Sequence, residues 1–256
     1  MSIDIISDLH EDFWNLKVPS SLYSDKRVDF PLNLIPSPNT DILIVAGNIS
    51  ADLHISLQFL EHCKRGYKYV LFVDGDKEHH EKLPYMYSPS SIVMELNKPN
   101  FNNIYYLPIQ PFLQDEVAFV GVSGWWNFSE SIPIQFENTK LSADDNNKLI
   151  RNIIKSASLD YEHLDHVLSQ TEMDSRIKTV IVVTHTPPHS KCVDDNISIN
   201  LNALMQPLVS GAYSKLKYWI FGHVKNPVTL TINNIQFISN PRGYDRKEYQ
   251  AINIKI

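Results

Sequence analysis

Six residues able to hold a metal ion or move a proton stand directly after apolar runs: Asp8, His10, Asn48, Asp76, His185 and His223. Residues 3–6 lead into Asp8 and His10, 41–47 into Asn48, and 69–73 into Asp74-Gly-Asp-Lys-Glu-His-His80. Residues 178–183 lead into Thr184-His-Thr-Pro-Pro188, and 218–221 into Gly222-His-Val-Lys-Asn-Pro227. Carboxylate, amide and imidazole donors together suit a hard or borderline divalent cation. Any one of them could be a turn former, because Asp and Asn favour turns for reasons of their own. The recurrence at five strand ends carries the signal.

Those apolar runs read as strands, and ligands of open α/β sheets sit in the crevice beyond the carboxyl ends of the strands. Asp8 and His10, two apart in extended chain, are expected to point the same way. Residues 11–40, with four prolines, read as a loop or small insertion lying over the sheet end. Asp52 is placed to cap a helix whose Leu53, Leu57 and Leu60 share a face. Residues 81–103 read as loop with a turn or two of helix around 92–97. Residues 104–107 and 117–121 read as strands. Residues 142–174 read as helical, with one apolar face on Leu149, Ile150, Ile153 and Ile154 and a second on Leu159, Leu164, Val167 and Leu168. His163 and His166 lack a third ligand nearby and read as a solvated face. Trp125 and Trp126 read as packing before ligand platform. Residues 235–239 and 249–256 complete the strands.

At 256 residues, 43% of them hydrophobic and 20% charged, the chain fits one α/β domain over 1–256. No apolar run approaches the ~18 residues that a membrane span needs. The start lacks a basic segment with a cleavage site, so a cytoplasmic protein is expected. A net charge of -6 without a basic run argues against general nucleic-acid binding. Cys63 and Cys192 read as reduced thiols.

In this order the motifs resemble those of the calcineurin-like metallophosphoesterase superfamily across nearly the whole chain. The matching stretches are Ser7-Asp-Leu-His10, Ala46-Gly-Asn48, Gly75-Asp-Lys-Glu78, Thr184-His-Thr-Pro-Pro188, Gly222-His-Val-Lys225 and Asn240-Pro-Arg-Gly-Tyr244. The resemblance implies a four-layer α/β sandwich, two mixed sheets flanked by helices, with a two-metal site at the strand ends. It also implies Asp8, His10, Asn48, Asp76, His185 and His223 as metal positions, and Glu78 as a residue behind them.

Four of those positions are changed in type. Asn48 stands where the family has a bridging carboxylate, Asp76 where it has an asparagine, and Lys77 and Lys225 where it has histidines. A lysine at ~4 Å from a divalent ion repels it by about 8 kcal/mol at an effective dielectric of ~20. The first metal position is therefore expected to be empty, with the Lys225 ammonium in its place, paired with Asp8. The second is expected to take one ion, Mn, Fe, Zn or Mg, from Asp76, His185, His223 and Asn48.

Two functions follow from the resemblance. One is a single-metal phosphoesterase acting on a phosphate mono- or diester, with His185 at the metal, Lys77 facing the leaving group and Lys225 or Arg242 holding a phosphate oxygen. The other is a pseudoenzyme without turnover, with one metal or none, that binds a phosphorylated small molecule or nucleotide in a pocket of Lys77, Lys225, His185, His223 and Arg242. It could also bind a protein partner through Trp125, Trp126 and residues 11–40.

Overall fold

The computed structural model describes residues 1–15, 40–96, 102–126, 141–193, 203–245 and 249–256. The first sheet contains β1 (Ser2–Ile6), β2 (Ile42–Ala46), β3 (Tyr69–Val73), β4 (Ile104–Tyr106) and β11 (Ile252–Lys255), in the order β11-β1-β2-β3-β4. Its strands are parallel except β11, which runs antiparallel beside β1. The second sheet holds β5 (Phe112–Gln114), β6 (Val117–Gly121), β7 (Thr179–Val183), β8 (Leu216–Phe221), β9 (Val228–Ile232) and β10 (Ile235–Ser239), in the order β5-β6-β7-β8-β10-β9. Here β6, β7, β8 and β10 are parallel, and β5 and β9 are antiparallel edges.

The central strands are apolar throughout because they are covered on both faces. Ile3, Ile5, Ile42, Ile44, Leu71 and Val73 meet Phe119, Ile181, Val183, Ile220 and Ile238 in the core between the sheets. The intervening Leu43, Val45, Val70 and Phe72 face helices α2 (Leu53–Cys63) and α3 (Pro89–Leu96). On the far side Val180, Val182, Trp219 and Phe221 pack against Leu164, Val167 and Leu168 of α4 (Ala143–Met173). Helix, sheet, sheet, helix is the four-layer sandwich expected from the motifs.

Local signals account for the helix starts. Asp52 accepts from the His54 and Ile55 amides, and Ser142 from the Asp145 amide, each such cap being worth about 1 kcal/mol. Helix α4 is one continuous helix, not two; between 143 and 173 the chain has no glycine or proline to break it, so its apolar stripe drifts around the axis.

Three further expectations are corrected. Residues 11–15 form a short helix, α1 (Glu11–Asn15), and α3 begins at Pro89, before the expected 92. Edge strands β5 and β9 were not anticipated. Residues 16–39, most of the expected insertion, lie outside the described residues. Cys63 and Cys192 are buried and free, and no helix among the described residues is long and apolar enough to cross a membrane.

The two sheets are stitched together beside the strand ends. The Asn240 side-chain amide donates to the carbonyls of Ile5 and Gln250 at 2.9 and 3.0 Å. The amides of Arg242 and Gly243 then donate to the Ser7 and Asp8 carbonyls at 3.0 and 2.9 Å. The Asn240–Tyr244 turn thus fixes β1 against β10 just where Asp8 leaves the sheet.

Candidate metal centre

Parallel strands β2, β3, β7 and β8 end on one side of the molecule, and their next residues converge there. Among the described residues, Asp76, His185 and His223 each offer one ligand atom, and these atoms lie within 4.8 Å of one another. His185 Nε2 is 3.1 Å from His223 Nδ1 and 3.3 Å from Asp76 Oδ1, and His223 Nδ1 is 3.4 Å from the same carboxylate oxygen.

The neighbourhood of His185 fixes its tautomer. Its Nδ1 lies 2.8 Å from the Ala46 carbonyl, which can only accept, so Nδ1 carries a hydrogen and the neutral ring turns its Nε2 lone pair into the cluster. That lone pair faces a second imidazole nitrogen and a carboxylate oxygen, and either a shared proton, on His185 or on His223 Nδ1, or a metal ion satisfies the group. In the metal-free protein a proton fills that role: burial pulls His185 down, but the hydrogen bond to Asp76 and the charges of Asp8 and Asp76 outweigh it and raise it to about 9. The same imidazoles overcome the effect of burial on Asp76 and hold its carboxyl well below the usual range. Two nitrogens and one carboxylate suit Zn, Mn or Fe, so the residues fit a divalent ion.

Close backbone approach makes room for this ring. A Cβ on Gly47 would stand 2.6 Å from His185 Nδ1, and one on Gly75 2.8 Å from His185 Cδ2. Asp8, His10, Asn48 and His223 all have left-handed backbones, with φ of 49, 48, 56 and 58°. Asn and Asp tolerate that region; for the two histidines such backbone costs on the order of 1–3 kcal/mol each and is a mark of functional sites. It also overturns the period-two argument for Asp8 and His10, since β1 ends at Ile6 and neither residue is extended.

Carboxylates behind the cluster lock its loops. Glu78, fully buried, accepts from the amides of Asn48, Ile49, Ser50 and Gly75 and from the Ser56 hydroxyl, tying the loop after β2 to the loop after β3. Asp74 accepts from Tyr106 at 2.6 Å, Ser123 at 2.7 Å and His79 at 2.5 Å, and these bonds offset burial and keep its carboxyl below the ordinary value. His79 is therefore part of the scaffold, buried, with Nδ1 accepting from the Tyr87 amide. Trp126 stacks on His223 with centroids 5.5 Å apart, and Trp125 beside it is anchored by Asp160, which accepts from the Gly124 and Trp125 amides. Both tryptophans are buried, which removes them as an exposed partner surface and agrees with packing.

The other expected site residues divide differently. Asn48 donates from Nδ2 to Asp76 at 3.0 Å, while its Oδ1 accepts from the Lys77 amide at 2.9 Å. In this arrangement Asn48 steadies the Asp76 carboxylate and ties it to the Lys77 amide. Asp8 and His10 stand outside the converging group. Both Asp8 oxygens accept from the His223 amide, at 3.1 and 3.0 Å, and burial pushes its carboxyl up. His10 is buried under Tyr244, with centroids 4.3 Å apart, and its Nδ1 has no hydrogen-bond partner among the described residues. Burial first, then the Lys77 charge, lower it to about 3, so the ring is neutral.

The structure places Lys225 and Arg242 otherwise than expected. Lys225 is exposed and makes no ion pair among the described residues, so its ammonium is not paired with Asp8 there; two residues past the left-handed His223, the side chain is in solvent. Arg242 does not face the cluster: it is buried, donates to Glu11 at 2.9 Å and lies 4.6 Å over the Trp14 ring, bracing α1 against the Asn240–Tyr244 turn. Glu11, its partner, carries no signal in the sequence beyond its place after His10. On α4 His166 is exposed, as expected of a solvated face, whereas His163 is half-buried.

Comparison with known proteins agrees with this geometry. A curated relative, an uncharacterized protein of Acanthamoeba polyphaga mimivirus, is 23% identical over 273 residues, covering 94% of this chain and 91% of that one. Among solved structures, the phosphopantetheinyl hydrolase PptH of Mycobacterium tuberculosis superposes with a TM-score of 0.61 at 16% identity, over 96% of this chain and 90% of that one. GAP50, described as the anchor in the inner membrane complex of Plasmodium, gives 0.52 at 12% identity, over 93% and 70%. At such identities both likenesses speak for the fold alone. The family itself is carried by a profile match to calcineurin-like phosphoesterase over residues 1–227, and to that family this chain belongs.

Proposed function

We propose that this chain acts as a single-domain, single-metal phosphoesterase on a phosphate mono- or diester, its one divalent ion held by Asp76, His185 and His223. The observation that carries this reading is the convergence of those three ligand atoms within 4.8 Å, from the ends of three strands, with the His185 tautomer set by Ala46. A bound divalent ion would act as a Lewis acid toward a phosphoryl oxygen and lower the pKa of a water.

The chain's own groups supply the rest. Asn48 fixes the Asp76 carboxylate, and Asp8 fixes the His223 backbone, so neither ligand has to reorganise when substrate arrives. Lys77, half-buried and close enough for its charge to act on His10, is the cation on the rim and takes the phosphate oxygen or the leaving-group charge. With one metal in place of a two-ion clamp, turnover is slow.

A specific observation supports a second reading, a binding protein without turnover: Asn48 turns amide hydrogens toward Asp76, leaving a single cation position. GAP50, described as an anchor, has a similar fold, in keeping with such a use. Protein purified without chelators, analysed for metal and assayed on an aryl phosphodiester with added Mn, separates the two. One ion per chain with turnover abolished by His185→Ala supports the enzyme. Metal without turnover supports the binding protein, and neither metal nor turnover refutes the site.

A further inference from the structure

Two exposed aromatic rings stand at the rim of the site, and the fold goes to some length to place them. Tyr244, 39% exposed, lies flat on His10 at 4.3 Å and 17°. Phe13, 57% exposed, meets the Tyr244 ring edge-on at 4.9 Å and 83°. Single exposed apolar residues need no explanation. These two are different because their backbones are pinned from beneath. Trp14 donates from Nε1 to the Gly243 carbonyl at 2.8 Å, Arg242 covers the Trp14 ring, and the Arg242–Glu11 ion pair is buried.

The pair also borders the cation cluster. Tyr244 rests on His10, whose amide donates to the Asn48 carbonyl at 3.2 Å, and Asn48 in turn donates to Asp76 at 3.0 Å. An anion held at the cluster would have beside it one ring lying flat and one edge-on, the two orientations in which aromatic groups attract a third.

We propose that Phe13 and Tyr244 are specificity residues that receive a planar aromatic group of the phosphate ester, a nucleobase or a simple aryl ring. This rests on the reading of the Asp76–His185–His223 cluster as the phosphate end of the site. Stacking of a base on an aromatic side chain strengthens binding by at least about fivefold.

The test is titration calorimetry on the full chain loaded with manganese, using adenosine monophosphate, phenyl phosphate, ribose 5-phosphate and inorganic phosphate. The account expects adenosine monophosphate or phenyl phosphate, or both, to bind at least about fivefold more tightly than ribose 5-phosphate. Preference for the nucleotide alone identifies a base, and preference shared by phenyl phosphate identifies the ring itself. Tyr244→Leu and Phe13→Leu should shrink the ratio toward one with inorganic phosphate unaffected, and Tyr244→Phe should keep it. Equal affinities in the unmodified chain, or a preference that survives both leucine variants, overturn the assignment while leaving the metal site intact. Failure of all four probes to bind overturns the cluster reading and the aromatic assignment together.

Discussion

The two halves of the site occupy equivalent places at the strand ends and are committed to different work. On one side Asp76, His185 and His223 turn ligand atoms toward one another, and only a proton or a metal relieves them. On the other, Asp8 is spent on the His223 amide, His10 is stacked under Tyr244, and Glu11 and Arg242 close a buried ion pair. Residues that look interchangeable as ligands in the sequence thus separate into a chemical half and a scaffolding half. Backbone amides and ring faces decide which is which.

If the division is right, damage to the scaffolding half costs stability and damage to the chemical half costs metal. The largest effect belongs to Arg242→Met, which removes the ion-pair partner of the buried Glu11 carboxylate; urea unfolding should show a loss of about 3–5 kcal/mol with metal content unchanged. His223→Ala removes a ligand from a half-exposed position, and metal affinity measured by chelator competition should fall by at least about 100-fold, more than loss of an outer partner would produce.

Asn48→Asp sharpens the contrast. A second carboxylate 3.0 Å from Asp76 repels it in chelated protein, so the melting temperature should drop in EDTA and recover with Mn, widening the gap between the two conditions.

A smaller effect concerns Asp160, the support beneath Trp125. Burial, reinforced by the Asp74 charge, pushes its carboxyl up to about 7. Unfolded, it titrates near ~3.9. Between those values the folded state holds the extra proton, so its contribution to stability falls as pH rises from about 4 to about 7. Asp160→Asn should remove that downward contribution, so between about pH 4 and about pH 7 the urea midpoints of the variant should rise more, or fall less, than those of the parent chain. Smallest of all, Lys225→Ala should change stability by less than about 0.5 kcal/mol and leave metal content as it was, because the side chain is in solvent.

Much of the fold was legible because each core strand is apolar on both faces and is followed by a polar, turn-forming residue. Edge strands β5 and β9 were not, although Val228-Thr-Leu-Thr-Ile232 alternates; one lies after Pro227 and the other spans three residues, too little pattern to stand out. The strand-end ligands were legible from type and position. Their division was not, because Asn48 and Asp8 are defined by partners 28 and 215 residues away, and Lys225 by the direction the chain takes after His223. Glu78 was visible only as an acidic neighbour, since four of its five donors are amides and carry no side-chain signature.

The most direct test is a crystal grown without chelator, soaked in manganese and examined by anomalous diffraction. The account predicts one peak per chain, bounded by Asp76, His185 and His223, with none beside Lys225. Two peaks side by side, the second between Asp8 and His10, would contradict it.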